Sequence, residues 1–173
     1  ADALIGTGQF EEAIGALDHA LEINRRDVDS HSSKAYVLVE LGRFDEALAA
    51  CQPEIFGDDP PIELRGRAAE IIARRGDFDE AIAAMRKVLA DDPNYIWAWR
   101  QLTSWFFELQ RLDEYFQAAD EFVRAAPRYA LAWGYLADAN RARELRDDAL
   151  RDYNKAFELD RSYTYAALSL IDM

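Results

Sequence analysis

Gly76-Asp77-Phe78-Asp79-Glu80-Ala81-Ile82 is the stretch that decides the fold, because its acidic-acidic-small step returns along the chain at a fixed interval. The step stands also at Glu11-Glu12-Ala13, Asp45-Glu46-Ala47, Asp113-Glu114-Tyr115 and Asp147-Asp148-Ala149, successive copies lying 34 residues apart. Self-similarity at a period of about 20–50 residues marks a stacked-repeat protein, whose units cannot bury their apolar faces alone and need neighbours to complete the core. Function in such a protein falls on a surface that several repeats share.

Within each period the apolar residues follow helical spacing, as in Phe78, Ile82, Met85, Val88 and Leu89, or in Trp99, Leu102, Phe106 and Leu109. Each repeat is therefore a pair of helices. The break inside the pair falls at Gly8, Gly42 and Gly76, where glycine takes the left-handed conformation that ends a helix without a side-chain penalty. The acidic pair that follows opens the second helix, where free amides and the helix dipole favour negative charge. Asp92-Pro93 and Ala126-Pro127 separate one pair from the next, since proline lacks the donor and restricts the residue before it.

Three departures from the pattern carry expectations. Tyr115 replaces the small residue where two helices cross closely, so the ring must splay the pair or enter a gap. Gln110 and Glu144 replace the turn glycine, and a left-handed non-glycine residue costs roughly 1 kcal/mol. Pro53, followed by Gly57-Asp58-Asp59-Pro60-Pro61, must end or kink the second helix of its repeat early.

The 20 basic and 33 acidic residues give a net charge of −13, which argues against nucleic acid and against an anionic membrane surface as partners. Half the residues are hydrophobic and the acidic ones are interspersed among them, so the chain folds and is not an acidic disordered tail. One cysteine, Cys51, allows no internal disulfide, and with neither signal peptide nor apolar run of about 18 residues a cytoplasmic location is expected. The chain opens and closes in mid-repeat, which reads as a fragment whose own N-terminus is missing.

Gly-x-Phe-Asp-Glu-Ala followed by Ala-Leu-Glu-Ile-Asn or Leu-Ala-Asp-Asp-Pro resembles the tetratricopeptide repeat over essentially the whole chain. Gly76, Phe78, Ala81 and Pro93 match its signature in one repeat, and Trp99 and Leu102 match the opening of the next. The resemblance implies an all-α fold, a right-handed superhelix of stacked helix-turn-helix repeats, with first helices lining a concave groove and second helices forming the back. The array divides into a partial repeat at 1–27, repeats at 28–61, 62–95, 96–129 and 130–163, and a partial repeat at 164–173. First helices are expected at about 28–41, 62–75, 96–109 and 130–143, their partners starting near Glu11, Asp45, Asp79, Asp113 and Asp147.

Residue-level chemistry is sparse, and neither catalytic residue, metal nor cofactor is expected. His19 and His31 have no third ligand at zinc spacing, and Cys51 holds an apolar helix position. Asp58-Asp59 lacks the ligand spacing of a calcium loop, and no phosphate-cradling glycine loop occurs. The acidic pairs recur in every repeat, as a structural role demands.

Helical spacing instead points to the exposed side of the first helices, which in the fourth repeat carries Trp97, Arg100, Gln101, Ser104, Phe107 and Glu108. In the fifth it carries Leu131, Gly134, Tyr135, Asp138 and Arg141, and Tyr36 stands on the same side of the second. Aromatic rings and arginines dominate binding hot spots, and Gly66 and Gly134 would let a ligand backbone approach. Phe107 is favoured because Phe106 already serves the core; Trp97 and Tyr135 serve either role. The mix of Arg100 and Arg141 with Glu63, Glu70, Glu108 and Asp138 predicts a peptide of mixed charge with an apolar anchor.

Two recognition schemes of the family are absent. The chaperone-tail carboxylate clamp would need lysine, asparagine and arginine where Ser32, Tyr36, Arg67, Gly66 and Glu63 stand. The asparagine ladder of sugar-transfer enzymes is replaced by Ser33, Arg67, Gln101 and Tyr135. Pro93-Asn94-Tyr95-Ile96-Trp97-Ala98-Trp99-Arg100 is also similar to the repeat of the protein prenyltransferase alpha subunit, with Arg100 offset. The reading is thus a non-enzymatic scaffold holding a protein or peptide segment in its groove. The alternative is a scaffold or oligomerisation arm, self-associating through terminal half-repeats that expose Leu168, Leu170 and Ile171.

Overall fold

The computed structural model describes residues 1–171; Asp172 and Met173 of the terminal half-repeat lie outside the described residues. The described residues form α-helices and one 3-10 turn, with no strand. They cluster into two units, Ala1–Val88 and Leu89–Met173, the division falling within α6. Unit 1 holds α1 (Asp2–Gly6), α2 (Phe10–Ile23), α3 (Val28–Glu40), α4 (Phe44–Cys51), the 3-10 turn Glu54–Phe56, α5 (Ile62–Arg75) and most of α6 (Phe78–Asp91). Unit 2 holds α7 (Ile96–Glu108), α8 (Leu112–Ala125), α9 (Ala130–Ala142), α10 (Arg146–Leu159) and α11 (Thr164–Ile171). The all-α class and the helix spacing are those expected from the 34-residue step, and each second helix starts one residue ahead of its acidic pair.

The turn inside every pair has one geometry whether or not glycine supplies it. Gly8, Gly42 and Gly76 take positive φ, and so do Gln110 (φ 56°) and Glu144 (φ 63°). In all five turns the amide after that residue reaches back to a carbonyl of the last helical turn, as Arg43 N to Leu38 O at 2.8 Å and Leu145 N to Asn140 O at 2.9 Å. That bond satisfies a helix-terminal carbonyl only if the preceding residue is left-handed, so the bond imposes the strained conformation on Gln110 and Glu144. Replacing either by glycine should therefore raise the unfolding free energy by about 0.5–1 kcal/mol in chemical denaturation. Glu144→Gly should give the larger gain, because the Gln110 side chain donates to Phe107 O at 3.1 Å and that bond would be lost. Destabilisation by both would contradict the strain.

Helix starts show a second regularity that the acidic pairs alone did not reveal. The N-cap residues Gln9, Arg43, Arg111 and Leu145 make no side-chain bond to a free helix amide. Gln9, Arg43 and Arg111 instead reach the glutamate three residues on: Gln9 to Glu12 at 2.9 Å, Arg43 to both Glu46 oxygens, and Arg111 to Glu114. The hydrogen bond from Arg43 holds the Glu46 carboxyl below its ordinary range. These pairs are on the surface, so they orient the first turn more than they stabilise it.

Pro53 ends its helix as expected. α4 stops at Cys51 after 8 residues, against 14 in α2, and Pro53 takes extended backbone before the 3-10 turn. Cys51 lies in the unit 1 core beside Leu38, Ala47 and Leu64, and burial pushes its thiol up to about 12. Ala13, Ala47, Ala81 and Ala149 are fully buried where their helices cross. Tyr115 is buried as well, its ring centroid 5.6 Å from that of Phe107. In unit 2 the Trp99 and Trp133 indoles donate to the Pro93 and Pro127 carbonyls at 2.8 and 2.9 Å, tying each inter-pair turn to the helix that follows.

Candidate functional site

A cavity of about 400 Å³ opens in unit 2, formed by the first helices α7, α9 and α11 with one ring from α8. Thr103, Ser104 and Phe107 line it from α7, and Tyr135, Asp138, Arg141 and Ala142 from α9, at separations of one, three and four residues that keep each set on one side of its helix. Tyr115 and Tyr165 complete it. Phe107 is half exposed while its neighbour Phe106 is buried, so consecutive phenylalanines face the cavity and the core respectively.

Asp138 organises the floor. Its Oδ1 accepts from the Tyr165 hydroxyl at 2.8 Å, from Arg141 Nη2 at 3.2 Å, and from the hydroxyl of Tyr153, which reaches across from α10. Burial first, and the charge of Asp138 second, push the phenols of Tyr115 and Tyr165 above their usual range; for Tyr153 burial again leads, followed by its bond to Asp138. They are accordingly neutral hydrogen-bond donors at physiological pH. The rings supply apolar area with little rotamer entropy, and the arginine supplies directed donors.

The structure brings Ser104, Phe107, Tyr135, Asp138 and Arg141 together and leaves the other named residues elsewhere. Trp97 packs against Tyr95 with ring centroids 5.7 Å apart, Arg100 is exposed, Gln101 is half-buried, and none of the three lines the cavity. Tyr36 stands on α3 of unit 1, partly exposed. The first helices of unit 1 pair Arg67 with Glu70 and Arg74 with Glu40, the latter at 2.6 Å, and Arg67 also donates to the Ser32 hydroxyl. The two glycines do not offer open backbone. Gly66 is buried, and the space above Gly134 holds the Tyr163 ring, whose Cε1 would lie 2.9 Å from an added Cβ.

Thr103, Tyr115, Ala142 and Tyr165 are the wall residues that helical spacing did not single out. Tyr165 was within reach, since the 34-residue step carries Trp97 onto Leu131 and then onto Tyr165. Tyr115 sits at a crossing position, where spacing marks it as core. Among the described residues no helix is long and apolar enough to cross a membrane.

Models of the tetratricopeptide repeat match residues 1–60 and 61–105. No curated protein sequence matches the chain. Among solved structures it is similar to MamA, at 19% identity and a TM-score of 0.68 over 95% of this chain and 96% of that one. A thermophilic tetratricopeptide repeat protein of Thermus thermophilus is similar at 16% identity and TM-score 0.66, over 98% and 93% of the two chains. YrrB, described as having an unusual peptide-binding site, is similar at 17% and 0.63, over 97% and 87%. At these identities the likeness is one of fold.

Proposed function

The chain belongs to the tetratricopeptide repeat family, and on that premise we propose that it acts as a non-enzymatic scaffold holding a segment of a partner protein against α7, α9 and α11. Family membership supports an interaction scaffold in general. The finer reading rests on one observation, the convergence of Ser104, Phe107, Tyr135, Asp138 and Arg141 on a single cavity. A half-exposed ring at the mouth of such a cavity is the arrangement that an apolar side chain of a partner fills with gain. Unit 1 supports the contrast, because its first helices pair Arg67 with Glu70 and Arg74 with Glu40.

Peptides selected on the intact chain from a random-sequence display library test this. Phe107→Ala, a change at a half-exposed position, should weaken the selected peptides by about tenfold or more with the fold retained. Peptides indifferent to Phe107→Ala but lost on Asn154→Arg, on the exposed side of α10, would place binding on the other layer.

A second reading, self-association, is supported by α11, where Leu168 is 60% and Ile171 79% exposed. It expects molar mass by light scattering to rise with concentration. A constant monomer mass at high concentration would remove it.

A further inference from the structure

We propose that the unit 2 cavity recognises a partner segment in which one acidic residue neighbours a bulky apolar residue, its carboxylate taken by Arg141 and the hydroxyls of Tyr115 and Tyr135, its apolar side chain by Phe107. This rests on the reading of the cavity as the partner site and adds the chemistry that the site selects.

The argument starts from hydrogen-bonding capacity that the chain does not use. Tyr115 is 3% exposed and lines the cavity, yet its hydroxyl has no hydrogen-bond partner among the described residues. The hydroxyl is not among the buried unpaired atoms, so it opens into the cavity, where water or an incoming acceptor can meet it. The Tyr135 hydroxyl is in the same position on the same cavity. Arg141 directs Nη2 at Asp138 and Tyr165, while Nε and Nη1 have no acceptor among the described residues and the side chain is 50% exposed. Asp138 is the opposite case. It is 20% exposed, and its Oδ1 already accepts three donors. Although the cavity contains one charge of each sign, what it offers an incoming group is mainly donors, Oδ1 of Asp138 being taken already.

A donor set of two phenols and a guanidinium beside aromatic walls fits an acceptor that is also negative, because charge-assisted bonds to arginine are the strong ones. A lysine or arginine from a partner would meet the like charge of Arg141 at the mouth and find Oδ1 of Asp138 already taken by three donors. The surroundings limit the acid to one. Glu108, whose carboxylate accepts from Ser104 at 3.4 Å, lies beside the cavity, and the chain carries a net charge of −13. A run of acidic residues would be repelled within a screening length of about 8 Å, whereas a single carboxylate is held by its own contacts.

The test panels the same random-sequence peptide library against the wild-type chain, Arg141→Gln, Tyr115→Phe and Phe107→Ala, with circular dichroism to confirm that each variant is folded. Wild type should enrich peptides that place Asp or Glu next to a bulky apolar residue. Changing that acid to its amide should weaken binding about tenfold on wild type and less than about twofold on Arg141→Gln, since the partner of the charge is already gone. Tyr115→Phe should weaken the acidic peptide more than its amide form, because the bond to a charged acceptor is the stronger one. Enriched peptides that depend on Phe107 but bind equally as acid and amide, or that carry lysine or arginine at that place, would overturn the proposal and leave the partner site standing. Enrichment that survives Phe107→Ala unchanged would overturn both.

Discussion

Replacing Tyr115 by alanine, the residue that occupies the same register at Ala13, Ala47, Ala81 and Ala149, should destabilise the chain by about 2–4 kcal/mol instead of regularising it. The other repeats pack two helix backbones closely over a methyl group. In unit 2 the pair α7–α8 is built around the ring, which is 3% exposed and lies 5.6 Å from Phe107. Removing it leaves a void that the two helices cannot close without moving, and the cost includes both lost apolar burial and lost contacts. The figure falls below that of a sealed core position because the void joins an existing cavity. Tyr115→Phe is the control: its hydroxyl has no partner among the described residues, so stability should change by less than about 1 kcal/mol. Chemical denaturation of the two variants decides the matter, and a stabilised Tyr115→Ala would show that the ring is tolerated, not required.

The larger effect is expected at Tyr153. This ring is fully buried among Ala137, Ala149, Ala156 and Ala166, small residues that leave its volume with no substitute, so Tyr153→Ala should cost about 3–5 kcal/mol. Tyr153→Phe keeps the volume and removes only the hydroxyl that donates to Asp138, at about 1–3 kcal/mol for a hydrogen bond to a charged group. The same phenol makes stability depend on pH. Its folded pKa is raised, first by burial and then by its bond to Asp138, above the unfolded value of about 10. A raised pKa means that the stabilisation is complete below pH ~10 and is lost as the pH climbs from there towards the folded value, at no more than about 1.4 kcal/mol per pH unit for the one group. Alkaline denaturation of Tyr153→Phe should therefore have a shallower slope above pH ~10 than wild type. Identical slopes would show that this phenol does not titrate with unfolding.

Much of this molecule is legible locally. The 34-residue step places every second-helix start from Phe10 to Arg146, because an acidic pair at a helix opening and a left-handed residue at a helix end are conditions that a few neighbouring residues satisfy by themselves. Even the non-glycine exceptions obey it: Gln110 and Glu144 adopt the backbone that position demands. The exposed face of the first helices was legible too, since Ser104, Phe107, Tyr135, Asp138 and Arg141 follow from helical spacing alone.

What the sequence determined without further help is thus the period, the helices and their ends, and which side of each helix is apolar, all of them consequences of interactions within about one repeat. The tertiary structure alone decided which sides meet and at what distance. It brought Tyr153 of one helix layer and Tyr165 of another onto a single oxygen of Asp138, filled the space above Gly134 with Tyr163, and turned Tyr115 from a packing irregularity into a cavity wall. Periodicity gives the direction of a side chain from its own helix axis. Whether that direction ends in solvent, in a neighbour or in a recess depends on how closely the next helices approach, and that is set by the summed volumes of residues roughly 15 to 30 positions away.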